Sequence, residues 1–179
     1  MTYIPEIEFK FFPKDKEKVI KNLDQFGVKK VDRTLMRAAA CRKEDNPAFH
    51  DLDIIRVRDE WRWVYVTMKQ WFVDGVELEH ALEKDFSVSD FESAVNMFTH
   101  LGLFISVRWE KYRTTWVLDD CEIVLDENPW LEPYFEIEWP SEASIKSVCD
   151  KLGCEWETRR KGGTRMLYVE KYWEHARTI

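Results

Sequence analysis

The chain has 179 residues, enough for one domain with a sizeable core, and 45% of them are hydrophobic, an ordinary share for a globular protein. Lysine and arginine number 27 against 34 aspartate and glutamate, a net charge of −7 that opposes nonspecific binding to nucleic acid or to an anionic membrane, so any anionic ligand needs a local basic site. No apolar run approaches the roughly 20 residues of a membrane span, and Glu6 and Glu8 interrupt any apolar leader, so a cytoplasmic location is expected.

The first predicted element is a strand over residues 4–12. In it Glu6, Glu8 and Lys10 alternate with Ile7, Phe9 and Phe11, placing charge on one face and apolar side chains on the other. A helix over 14–26 follows, with Val19, Ile20, Leu23 and Phe26 on one stripe and Gly27 as its stop. Strands are then predicted over 33–42, 52–59, 61–71 and 76–87, with Asp74-Gly75 as a turn. A second helix over 90–101 has Ser89 and Glu92 in capping-box spacing and ends before Gly102. Strands over 106–118, 121–126 and 133–139 come next, divided by Asp119-Asp120 and Glu127-Asn128-Pro129. A third helix over 142–152 lies between Ser141 and Gly153, and residues 164–171 read as a last strand.

Nine Trp and eleven Phe suit a strand-rich fold. Cys41, Cys121, Cys149 and Cys154 form no CxxC pair and no zinc spacing, so they read as small apolar fillers. The four histidines are scattered and none reads as catalytic. With no long linker or low-complexity tract, the reading is one α+β domain over 1–179, dominated by antiparallel strands.

The alternation of the opening strand recurs. Arg56 and Arg58 oppose Ile55 and Val57; Thr67 and Lys69 oppose Val66 and Met68; Lys111 and Arg113 flank Tyr112; Glu136 and Glu138 alternate with Phe135, Ile137 and Trp139. Solvation would account for any one charged face. The recurrence suits charged faces turned toward a common centre, as in a closed antiparallel barrel with apolar residues outside beneath helices. Glu6, Lys10, Arg56, Arg58, Lys111, Arg113 and Glu138 are then expected to converge, with Ile7, Phe9, Val57, Tyr112 and Ile137 pointing away. Such basic residues would bind a compact polyanion. The carboxylate pairs suit Mg²⁺ or Mn²⁺ bridging to phosphate oxygens.

EIEFK, IIRVRD (Arg56, Arg58), VTMKQ (Lys69), EKYR (Lys111, Arg113), IVLD (Asp126) and FEIEW (Glu136, Glu138) occur in the order of the CYTH superfamily motifs, and the chain resembles that family over nearly its whole length. The family comprises triphosphate tunnel metalloenzymes: class IV adenylyl cyclases, thiamine triphosphatases, inorganic tripolyphosphatases and fungal RNA triphosphatases. The resemblance implies an eight-stranded antiparallel tunnel with helices outside. It also implies phosphate ligands at Lys10, Arg56, Arg58, Lys69, Lys111 and Arg113, with Arg165 as an extra contact. Metal ligands or their supports fall at Glu6, Glu8, Asp126, Glu136 and Glu138, and catalytic roles at Lys10, Lys69 and Glu83. Two departures stand out. The strand after Lys69 reads GVELEHALEKDF, where Glu77, Glu79, Glu83 and Asp85 share parity and Glu83 is preferred over Glu79, and the second strand lacks the pattern of the cyclase-like branch.

The expected function is metal-dependent hydrolysis of a small-molecule triphosphate: inorganic tripolyphosphate, thiamine triphosphate or a nucleotide. A class IV adenylyl cyclase is the alternative, followed by a noncatalytic polyphosphate- or nucleotide-binding module. No nucleic-acid or membrane partner is expected, and the protein would be a monomer or homodimer. An RNA 5′-triphosphatase has no obvious RNA track in the charge balance.

Overall fold

The computed structural model of the chain describes residues 4–5, 7–43, 54–60, 62–73, 76–138 and 141–173. In chain order the elements are β1 (Ile4–Pro5), β2 (Glu8–Phe11), α1 (Lys16–Gln25), β3 (Lys29–Arg42), β4 (Ile54–Asp59), β5 (Val64–Val73) and β6 (Val76–Val88). They continue with α2 (Phe91–His100), β7 (Phe104–Leu118), β8 (Cys121–Glu127), β9 (Tyr134–Glu138), α3 (Glu142–Leu152) and α4 (Thr164–Tyr168). A 3₁₀ turn at Trp156–Thr158 precedes α4, and a π-helical segment, Val169–Trp173, follows it.

Local chemistry sets the element ends. The Asp15 side chain accepts from Lys18 N at 2.9 Å to open α1, and Ser141 accepts from Ser144 N at 3.1 Å to open α3. Asp119 and Asp120 both take positive φ, 50° and 65°, the requirement of the tight hairpin turn between β7 and β8. The expected cap of α2 needs correction. Asp90, not Ser89, accepts from Ser93 N at 2.7 Å, because β6 runs on to Val88 and the Glu92 carboxylate is taken by Arg108 at 2.9 Å.

The strands form one sheet in the order β1-β6-β5-β4-β3-β7-β8-β9-β2, antiparallel in the β1·β6, β6·β5, β5·β4, β4·β3, β8·β9 and β9·β2 pairings. The expected α+β fold of antiparallel strands with helices packed against them holds and fits the tunnel type, and two details differ. The single strand expected over 4–12 divides into β1, which pairs with β6, and β2, which pairs with β9, so the sheet has nine strands and is not closed among the described residues. Residues 164–171 are also not a strand. They lie in α4 and the π-helical segment, whose turns bury Leu167 and let Tyr168 and Tyr172 donate to the Pro129 and Trp130 carbonyls, each at 2.7 Å.

The chain divides into two compact units. The first holds residues 1–7 and 34–112. There α2 lays Phe91, Ala94, Val95 and Phe98 on Ala39, Cys41, Val57 and Val66, one face of β3, β4 and β5. Burying each larger side chain contributes roughly 1.5–3 kcal/mol. The opposite face of these strands carries Arg56, Arg58, Thr67 and Lys69.

The second unit holds residues 8–33 and 113–179. Phe9, Ile137 and Ile123 stand in register across β2, β9 and β8, and all three are buried. Trp156 packs its ring edge against Phe9, with centroids 5.3 Å apart. Helix α3 packs on α1 and β8, burying Ile145, Val148 and Leu152. All four cysteines are free and buried, as expected of apolar fillers.

Candidate active site

In the second unit the apolar packing fixes which face the charges take. With Phe9 and Ile137 turned to the helices, Glu8, Lys10, Glu136 and Glu138 must project from the other side of the same strands. Lys10 Nζ donates to Glu136 Oε1 at 2.6 Å and to Glu8 Oε1 at 3.0 Å. Burial alone would depress the Lys10 ammonium, but Glu136 and Glu8 outweigh it and hold the group well above the usual lysine range. Arg113 makes a forked contact to Asp126 at 2.7 and 2.8 Å and reaches Glu136 at 3.1 Å. Its burial is likewise outweighed, by Asp126 and then Glu136, so the guanidinium stays charged.

Glu138 differs from its neighbours. In register it lies between Glu8 and Glu122, so three carboxylates stand side by side across β2, β9 and β8. Like charges in such positions repel. Burial, followed by the charges of Glu136 and Glu122, pushes the Glu138 carboxyl up to about 8.

In the first unit the charged face is cationic. Arg56, Arg58 and Lys69 are 23%, 17% and 14% exposed at the side chain, so most of each is withdrawn from solvent. Lys69 pairs with Glu83 at 3.0 Å, Arg56 approaches the same carboxylate at 3.9 Å, and Arg58 pairs with Glu60 at 2.9 Å. Burial would raise the Glu83 carboxyl, yet Lys69 and then Arg56 draw it below its ordinary value. Across the strands, Ala38 opposes Arg58 and Ala40 opposes Arg56, so β3 fills little of the space around the guanidinium groups.

Each unit therefore gathers part of the expected set. Glu8, Lys10, Arg113, Asp126, Glu136 and Glu138 come together in the second, and Arg56, Arg58, Lys69 and Glu83 in the first. Lys111 belongs to the first unit and is buried, and Tyr112 is exposed. Glu6, and the side chains of Glu77 and Glu79, lie outside the described residues. Arg165 sits exposed in α4 rather than on a strand, so it does not join the expected face through strand alternation. Sequence reasoning passed over Glu122, although its even spacing from Asp126 in CEIVLD carried the signal.

A hard divalent cation fits the chemistry of the Glu8, Glu122 and Glu138 row, which offers only carboxylate oxygens and holds Glu138 under repulsion. The oxygens are not drawn together: among the described residues no three acidic, histidine or cysteine side chains stand in an arrangement that holds a metal ion. Among those residues, too, no helix is long and apolar enough to cross a membrane.

Comparison with known proteins identifies the family of the chain. A family model described as the CYTH domain matches residues 5–161. No curated protein matches the chain. Among solved structures, a conserved hypothetical protein from Pyrococcus furiosus is similar at 22% identity and a TM-score of 0.71, over 89% of this chain and 97% of that one. A proposed adenylate cyclase from Vibrio parahaemolyticus is similar at 10% identity and a TM-score of 0.77, over 94% and 99% of the two chains. A proposed adenylyl cyclase from Hippeastrum, for which a dominant triphosphatase activity is described, shows 12% identity and a TM-score of 0.58, over 94% of each chain.

Proposed function

The chain belongs to the CYTH family, and from that premise we propose that it is a metal-dependent triphosphatase acting on a small-molecule triphosphate. The observation that carries this reading is the cationic face of Arg56, Arg58 and Lys69, three largely buried basic groups gathered on one side of β4 and β5. Basic groups withdrawn from water interact strongly with an anion, and guanidinium forks match phosphoryl oxygens.

In this reading Arg56, Arg58 and Lys69 bind the phosphate chain, and Lys111 adds a further cation. Glu83, between Lys69 and Arg56, fixes the direction of both side chains. In the second unit Glu8, Glu122 and Glu138 would hold Mg²⁺ or Mn²⁺, while Lys10 and Arg113 anchor Glu136 and Asp126. A divalent cation, where bound, supplies positive charge of the kind phosphoryl transfer requires. The residues thus supply orientation and charge for in-line attack by water, with no Ser, Cys or His nucleophile required.

In this proposal the chain is a single domain and a cytoplasmic monomer or homodimer with no nucleic-acid or membrane partner. Cyclisation of ATP would use the same grip but needs a site that aligns the ribose 3′-oxygen with the α-phosphorus. The dominant triphosphatase activity described for the Hippeastrum protein supports hydrolysis as the first choice. The test is a panel of tripolyphosphate, thiamine triphosphate and ATP with Mg²⁺ or Mn²⁺, followed for orthophosphate.

A further inference from the structure

Resting on the anion-binding reading of the first unit, we infer that Thr67 is a further substrate-binding residue, whose hydroxyl and Arg56 Nε together donate to one phosphoryl oxygen of the bound chain. Thr67 is 0% exposed, and its Oγ has no hydrogen-bond partner among the described residues. Arg56 Nε is buried and lacks a partner in the same way. The two are cross-strand neighbours: Arg56 on β4 stands opposite Thr67 on β5.

Strand alternation settles which face Thr67 takes. Val66 lies in the core beneath α2, so Thr67 projects from the other side, with Arg56, Arg58 and Lys69. A buried donor without a partner is costly, and here two such donors belong to residues paired across neighbouring strands. On the row containing them β3 contributes only Ala40, and Asp85 on β6 is exposed to solvent. What completes both donors is one acceptor atom with more than one lone pair. Arg56 can only donate, and the nearby cations favour an anionic acceptor over a neutral one. A phosphoryl oxygen meets each condition. Valine would serve packing better if the hydroxyl had no ligand to meet, since valine has nearly the same shape and no polar atom to bury.

The test measures tripolyphosphate binding by calorimetry in EDTA, and KM with Mg²⁺, for wild type and for R56A, T67V, T67A and T67S. Thr67→Val should weaken binding about tenfold, the size of one lost charge-assisted hydrogen bond, with a matching rise in KM. Its ligand-free melting temperature should equal or exceed that of wild type. Thr67→Ser, which keeps the hydroxyl, should restore binding; Thr67→Ala reports the same loss if the valine variant does not fold. Weakened binding in R56A, with T67V and T67A binding as wild type, overturns the Thr67 role alone. No binding and no turnover in wild type overturns the anion-binding reading along with it.

Discussion

Lys10 Nζ and Glu136 Oε1 lie 2.6 Å apart on neighbouring strands, with 2% and 9% of their side chains exposed. The pair joins the first charged motif of the chain to the last, and Arg113 extends it to Asp126. Removing one partner of a buried pair leaves the other charge uncompensated, which costs about 3–5 kcal/mol. We predict that Lys10→Met destabilises the protein by that order in urea unfolding, with a smaller loss for Glu136→Gln, because Lys10 retains Glu8. Unchanged unfolding midpoints in both variants would show that the pair does not organise the fold.

Glu138 gives a pH prediction. Its carboxyl is raised in the folded state to about 8 from an ordinary 4.5, so between those values the fold holds a proton that the unfolded chain releases, and stability falls as pH rises through the window. Without divalent ions, Glu138→Gln should melt above wild type near the top of that window, by about 2–4 °C per kcal/mol of relieved repulsion, and the gap should close toward its acid end. Mg²⁺ or Mn²⁺ should stabilise wild type more than the variant. A melting difference that ignores both pH and metal would remove Glu138 from the cation site.

Arg56→Ala tests the phosphate grip. The side chain is expected to hold ground and transition states alike, so KM should rise by about tenfold or more while kcat changes less. A loss confined to kcat would reassign Arg56 to the chemical step.

The helix stops were legible because the backbone demands them: Gly27, Gly102 and Gly153 take φ of 61°, 87° and 74°, where other residues are strained. The alternating charge in EIEFK and YFEIEW was legible too, since one buried face fixes a strand's register. The division of residues 4–12 into two strands was not, because a change of pairing partner along one extended segment leaves no trace in local pattern. Residues 164–171 misled through their Val and Tyr content; the spacing of Tyr168 and Tyr172, whose rings stack 6.3 Å apart, carried the helical signal. Within the candidate site, Glu122 needed the register of β8 on β9 before its place beside Glu138 was apparent. Thr67 looked like an ordinary strand residue until its buried hydroxyl proved to have no partner among the described residues.

The central claim is that the charged faces serve hydrolysis of a triphosphate, and ³¹P NMR of the purified protein with tripolyphosphate, and separately with ATP, in Mg²⁺ or Mn²⁺ tests it most directly. Orthophosphate and pyrophosphate should appear from tripolyphosphate, with little or no cyclic AMP from ATP. Cyclic AMP and pyrophosphate in equal amounts, with no orthophosphate from any triphosphate supplied, would contradict the account and establish a cyclase; saturable binding with no product would establish a binding module.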